Sequence, residues 1–356
     1  MIPYFILVAV PIIPLLTRYK GIKFGKHAAI SKKTLPISLF FAVLFLLVSL
    51  RADIIGNDTR NYIYYFDLYG KMPWEKLLDV KEPAYALLNK IVSCFSSNPN
   101  IFFLITAFIY IVPIAKLYIE NIEFPMLTIA LFVTMSTFSM WFSGIRQSIA
   151  IALGVIAFYF VKEKKVMPFA FVVLLAMMFH RSSFMITLMY PLYHLRITKK
   201  WLFFVAPGML ATLVFNKPIF SFLGTLISDL YEVNIQPTGA YTMIILFALL
   251  SAFSYIVPDE TKMDETTLAI RNYLLLATTI QMFAPVNTLA MRMNYYFIIF
   301  IPILIPKIIK ASSAQWRLVS KLAGWTMTVF FILYFFVDTT TSNALSIYPY
   351  HFFWEV

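Results

Sequence analysis

The chain has 356 residues, of which 61% are hydrophobic and 13% charged, with a mean hydropathy of +0.80. A soluble domain carries about 25% charged residues, so half the usual solvating charge is missing and a soluble globular enzyme is excluded. The net charge of +12 reads as a topology signal rather than a nucleic-acid site, and the single Cys94 rules out a disulfide framework or a zinc finger.

Apolar runs recur from end to end, at approximately 2–16, 34–50, 99–117, 124–143, 146–161, 166–179, 182–195, 201–216, 241–257, 268–284, 293–309 and 322–337. Twelve such runs predict an all-α polytopic membrane protein with short loops. No polar stretch is long enough for a soluble domain, so residues 1–356 form one transmembrane domain. The opening MIPYFILVAVPIIPLLTRYK has no basic residue before its apolar run and no small-residue cleavage site, so it reads as a retained span. No internal repeat stands out.

Basic residues mark the cytoplasmic side of short loops. The first loop, TRYKGIKFGKHAAISKK, holds six of them and no acid. Placing it inside puts both termini outside. The inner face then collects 19 of the 29 Lys and Arg and seven of the 17 acids, which accounts for the whole net charge. The acidic loop VPDETKMDETT goes inside by alternation alone.

After the second run comes an outer loop, 51–98, that begins with Arg51 and Asp53. Within it, IIGNDTRNYIYYFDLYG predicts a helix from about Asp58, with Asp58 or Thr59 as its cap and Arg60 in the first turn. Tyr62, Tyr65 or Phe66, and Tyr69 share one face. Two compatible readings are an amphipathic helix in the membrane interface and an aromatic platform for sugar rings. In the second, Asp53, Asp58 and Glu82 supply acceptors for sugar hydroxyls. Residues 83–96, PAYALLNKIVSCFS, read as an interfacial helix, a re-entrant element or a paired span.

Three further outer helix ends carry arginine. FSGIRQSIAIAL sets Arg146 and Gln147 at a helix start, where free N–H groups and the helix dipole favour an anion. KEKK and RITKK flank residues 166–195, so the chain must rise and return, turning at FHRSS. Each arm of fourteen residues is only ~21 Å long, which recesses His180 and Arg181 below the outer surface of a ~30 Å hydrocarbon core. LAMRMNYYF places Arg292 beside Tyr295 and Tyr296 at i+3 and i+4. A lone arginine near a span end ordinarily snorkels to headgroups. Three of them facing one way point to a shared anion, and a phosphate or pyrophosphate fits best. His180 is the only histidine in this recessed region. His27 and His194 lie near the inner face and His351 in the tail.

No DxD or HxxxH metal pattern, Walker or dinucleotide glycine motif, or G-x-S-x-G elbow is present.

The ordered set GNDTRNY, KEPAYALLNK, GIRQSIAIAL, FHRSSF and MRMNYYF resembles the EpsG-like branch of Wzy-type polysaccharide polymerases over about residues 50–300. The large soluble outer loop of some related polymerases is missing. The resemblance implies polymerisation of undecaprenyl-pyrophosphate-linked oligosaccharide units, both donor and acceptor, at the outer face of a bacterial inner membrane. It implies no metal, cofactor or nucleotide sugar, and a chain-length regulator and a flippase as partners. His180 leads as base, followed by Asp58 or Glu82. Arg146 and Arg292 hold pyrophosphate with Arg181 assisting, and Gln147, Arg60, Asp53, Tyr62 and Tyr295 complete the substrate-binding set. The competing readings are a transferase adding single sugars from a polyprenyl-phosphate donor and, further off, a lipid-linked glycan transporter.

Overall fold

A helix rich in small residues, Ile145–Lys162, organises the fold. Gly154, Ala150, Ala152 and Ala157 are buried along it, and a side chain at Gly154 would meet Ile186 Cδ1 at 3.3 Å. Small residues let neighbouring helices approach closely, which is how apolar helices pack when lipid gives no hydrophobic drive. Pro99–Glu120 and Val166–Phe179 lie against it. Ile301–Lys310 is buried on nearly every side and occupies the centre of the fold. The computed structural model describes residues 1–17, 22–24, 28–31, 33–135, 137–226, 235–238, 240–342 and 345–356. From the first loop, Arg18, Lys20, Lys26, His27 and Lys32 lie outside the described residues.

Each of the twelve apolar runs holds a helix. Three described helices are long and apolar enough to cross a bilayer alone: Pro99–Glu120, Ile145–Lys162 and Ala314–Thr341. The number becomes five if two bent pairs each count as one, Lys199–Val214 with Asn216–Leu226 at 87° and Leu289–Ile298 with Ile301–Lys310 at 45°. The other apolar helices, including Ile2–Leu16, Thr34–Ser49 and Thr242–Ile256, are shorter. Large apolar side chains such as Trp325, Val329, Phe330 and Leu333 stand exposed along Arg317–Thr341, a surface suited to lipid rather than water. The chain is therefore a helical membrane protein.

Four local features differ from the sequence reading. The 182–195 run is a 3-10 helix, Arg181–Leu188, followed by a short α-helix, Met189–His194. The 124–143 run is divided into Pro125–Thr134 and Thr137–Ser143. The helix Asn216–Leu226 continues beyond the 201–216 run. Finally, Ile22–Phe24 and Ala28–Ile30 pair as antiparallel strands with Ile22 opposite Ile30.

Charged side chains gather at the two ends of the helices. At one end Glu123 pairs with Lys310 at 2.7 Å and Lys33 at 3.6 Å, Lys307 with Asp264 at 3.5 Å, and Arg271 with Glu260 at 2.7 Å. Thr34–Ser49 runs from Lys33 at this end to Arg51 at the other, and Ile145–Lys162 starts at the far end beside Arg146. The acidic loop VPDETKMDETT joins the basic group by direct contact, with the Asp259 N–H donating to Ala311 O at 2.9 Å. At the far end both termini meet: the Tyr4 hydroxyl donates to Ile347 O, and the Ala52 N–H donates to His351 O at 2.9 Å.

Two amphipathic helices, Thr59–Lys71 and Pro83–Ser93, pack on each other at that far end. At 11 residues, Pro83–Ser93 extends ~16 Å and cannot span a bilayer by itself.

Candidate active site

Gly56 forms the turn that builds the site. Its φ is +86°, and a Cβ there would sit 2.4 Å from Phe142 O, so the close approach to Thr137–Ser143 requires glycine. Two hydrogen bonds lock the turn: the Gly56 N–H donates to Ser346 O at 2.9 Å and the Asn57 N–H to Ser143 Oγ at 3.0 Å. The chain then delivers Asp58 and Tyr62 to a cavity of about 110 Å³, which Gly144, Arg146, Gln147, His180, Arg292 and Tyr295 also line.

The expected capping of Thr59–Lys71 is not made. Asp58 holds the cap position, but its side chain makes no capping bond. Thr59 is buried, donates its hydroxyl to Ile55 O at 2.5 Å and accepts from Arg51 Nε at 3.4 Å. Asp58 therefore keeps its carboxylate for the cavity. Arg51 is a structural residue, buried with its guanidinium 4.5 Å from the centre of the Phe103 ring.

The aromatic stripe turns mainly inward. Tyr62 lies 6.0 Å from Tyr85 and Phe66 lies 5.2 Å from Phe102, ring to ring, and both Tyr62 and Phe66 are buried. Tyr65 and Tyr69 stack on each other at 5.5 Å. Of the stripe, only Tyr62 lines the cavity. The face is thus a packing surface first, which the i, i+4, i+7 pattern by itself could not distinguish from a sugar platform.

Glu82 links the candidate base His180 to the candidate pyrophosphate ligand Arg146. Its Oε2 accepts from Arg146 NH1 at 2.5 Å, and its Oε1 lies 3.1 Å from His180 Nδ1. Burial pushes the carboxyl pKa up, but the His180 hydrogen bond and the Arg146 charge outweigh it and hold the pKa below the ordinary value. An ionised carboxylate only accepts, so the Nδ1 that faces it carries the proton. A neutral imidazole then has its lone pair at Nε2. Backbone geometry sets this up: Val166–Phe179 ends at His180, whose extended φ and ψ of −156° and 119° separate it from the 3-10 turn that follows.

Arg292 enters from another helix, Leu289–Ile298, and Gln147 Nε2 donates to Arg292 O at 2.5 Å, tying that helix to the start of Ile145–Lys162. Among the described residues the exposed Arg292 guanidinium has no protein partner. Tyr295 is buried in the cavity wall, whereas the neighbouring Tyr296 is bonded to Ser182 at 2.9 Å and braces the His180 turn. Seven of the eleven sequence-derived candidates, Asp58, Tyr62, Arg146, Gln147, His180, Arg292 and Tyr295, line one cavity, and Glu82 holds two of them. The remaining three stand apart. Arg60 and Asp53 form an exposed ion pair at 3.2 Å, and Arg181 does not line this cavity.

A model of the EpsG family matches residues 34–352. The chain belongs to the EpsG family. Neither a curated protein nor a solved structure matches it. Membership bears out the resemblance carried by the five motifs, and with it a membrane-bound role of the polysaccharide-polymerase or glycosyltransferase kind. The EpsG match also runs past residue 300, through the C-terminal segment that reaches the cavity at Leu345. Sequence reasoning missed that segment because its contacts join positions about two hundred residues apart, as where Ser143 Oγ donates to Leu345 O at 3.3 Å.

Proposed function

We propose that this EpsG family member polymerises undecaprenyl-pyrophosphate-linked oligosaccharide units at the outer face of a bacterial inner membrane. The observation that carries the reading is the Glu82 carboxylate joined to both Arg146 and His180, with Arg292, unpaired among the described residues, in the same cavity wall. Transfer requires a hydroxyl of the acceptor unit to attack the anomeric carbon of the donor chain. The bond from that carbon to pyrophosphate then breaks, and the lipid pyrophosphate leaves with the bonding electrons.

In this reading His180 Nε2 accepts the hydroxyl proton. Glu82 fixes the tautomer and stabilises the imidazolium that forms, as an orienting carboxylate does. Arg292 meets the charge that develops on pyrophosphate, as a cation whose donors, among the described residues, the protein leaves open to it. The N–H groups at the start of Ile145–Lys162 add to this field. Arg146 differs from the simple anion receptor of the sequence reading, because one of its NH groups is committed to Glu82. Its role is to hold the carboxylate at the cavity wall, where its guanidinium also lies 5.7 Å from the centre of the Tyr85 ring. Asp58 accepts hydrogen bonds from sugar hydroxyls, and Arg181, Arg60 and Asp53 take outlying positions along the saccharide.

The orientation of twelve crossings follows from charge. The ion-paired end rich in lysine suits the cytoplasmic side, which turns the site and both termini outward. A chain-length regulator and a flippase would work alongside it.

The test is a gel of surface polysaccharide from the source bacterium lacking this gene, complemented with wild type or with an equally abundant His180→Ala. Single repeat units in the deletion, a ladder with wild type and none with His180→Ala support the reading. Loss of even the single-unit band points to an earlier single-sugar transfer or to transport, and an unchanged ladder removes polymerisation of that glycan.

A further inference from the structure

A larger cavity of about 450 Å³ adjoins the first and shares Arg292, Tyr295 and Leu345 with it. Its size is within the ~300–1,000 Å³ usual for organic ligands. It lies between Thr137–Ser143, Leu289–Ile298 and the end of Arg317–Thr341. The hydroxyls of Ser139, Thr288 and Thr339 line it and, among the described residues, make no hydrogen bond to the protein. The Asp338 carboxylate lines it as well, alongside the rings of Phe138, Tyr295 and Phe335.

Resting on the polymerase reading, we infer that this chamber is a saccharide subsite in which Asp338, Ser139, Thr288 and Thr339 bind sugar hydroxyls on the far side of Arg292 from His180. Three hydroxyls that make no bond to the protein, one at each of the three elements around the chamber, suit partners that both donate and accept, and sugar hydroxyls do both. A carboxylate strengthens such bonds as a charged acceptor but repels a phosphate, which argues against the lipid pyrophosphate as occupant. The rings offer apolar faces to sugar C–H groups. Arg292 in the shared wall then holds the anion at the junction, with one saccharide on each side of the reacting bond. Sequence periodicity placed Asp338 just past the last apolar run and gave it no role. Asp338 stands exposed at the end of its helix, where its carboxylate accepts from the Tyr334 hydroxyl one turn earlier and keeps its remaining lone pairs for a ligand.

The experiment uses the full chain in lipid nanodiscs with repeat units still attached to their lipid, extracted from the polymerase-deleted strain. Chain elongation is followed with wild type, Asp338→Asn and Ser139→Ala, and each protein's unfolding midpoint is measured beside it. We expect Asp338→Asn to raise the substrate concentration for half-maximal rate about tenfold, the loss expected for a charged hydrogen bond, with the saturated rate changed less than twofold. Lipid-free repeat-unit oligosaccharide should inhibit wild type and lose that effect in Asp338→Asn. Should Asp338→Asn unfold, Ser139→Ala must show the same two changes in smaller measure. Unchanged half-saturation in the folded variants overturns the subsite. So does inhibition by undecaprenyl phosphate that replaces inhibition by the free oligosaccharide, since it would make the chamber a lipid site. If wild type forms no polymer while binding free oligosaccharide through Asp338, the polymerase reading fails and the subsite stands.

Discussion

Glu82 and His180 meet at 3.1 Å from positions 98 residues apart, carboxylate oxygen to imidazole Nδ1. The helix Pro83–Ser93 begins immediately after Glu82, and Val166–Phe179, which packs against it, ends just before His180. Two helix ends therefore bring the pair together at the cavity that His180 lines. Removing the base by His180→Ala should lower the elongation rate by about 10²–10⁴. Glu82→Gln should lower it by less, because an amide still bonds the ring but no longer stabilises its charged form. Elongation assays on equal amounts of folded protein check this. A Glu82→Gln loss larger than that of His180→Ala would move the base to Glu82.

Among the described residues the Arg292 guanidinium in the cavity has no protein partner, so its removal costs binding to the developing anion without breaking an ion pair. Arg292→Ala should reduce elongation by about 10²–10³, the usual effect of losing one charge-stabilising donor. Its unfolding midpoint should stay near that of wild type. Arg146→Ala should reduce both, since it strips the partner from a largely buried carboxylate. Equal midpoint losses in the two variants would contradict this division.

Asp53 and Arg60 offer a contrast, because their ion pair is exposed and lines neither cavity. Exposed pairs contribute about 0–1 kcal/mol. Arg60→Ala is expected to leave the unfolding midpoint nearly unchanged and to retain a polysaccharide ladder, with any effect limited to ladder length. A ladder abolished by Arg60→Ala would bring the outer loop into the reaction itself.

Helix positions were legible in the sequence because apolar runs are long and few polar residues interrupt them. The candidate cavity was legible for a related reason. Polar groups such as Arg146, His180 and Arg292 stand out in an apolar chain, and the positive-inside rule assigns them to one end. Partnership was not legible. That Arg146 would be held by Glu82, or that the Leu345 segment would close the cavity, depends on packing between distant helices. The bend at Ile299 was hidden too, since apolar sequence continues through it, whereas the bend at Phe215 falls where Asn216, Lys217 and Pro218 interrupt the apolar run.

Gly56 tests how much the cavity depends on its turn. With φ at +86° and Phe142 O in the space of a side chain, Gly56→Ala combines an unfavourable backbone conformation with a clash. The conformation alone costs about 1–3 kcal/mol, so the unfolding midpoint should fall and the polysaccharide ladder weaken. An alanine variant with an unchanged midpoint would mean the turn can relax away from Thr137–Ser143.

The pH dependence of stability tests the charge state of Glu82. Its carboxyl pKa is lowered in the folded protein, so the carboxylate binds protons less readily folded than unfolded. The stabilising contribution is therefore fully present above the unfolded pKa and is lost as pH falls through the lowered folded value. Glu82→Gln cannot titrate. The stability difference between wild type and Glu82→Gln should hold constant from neutral pH down to the ordinary carboxylate range and shrink only below it. Thermal unfolding of both proteins across that range provides the measurement. A difference that grows on acidification would mean Glu82 takes up its proton more readily folded than unfolded. The bridge to Arg146 and His180 would then not hold an ionised carboxylate.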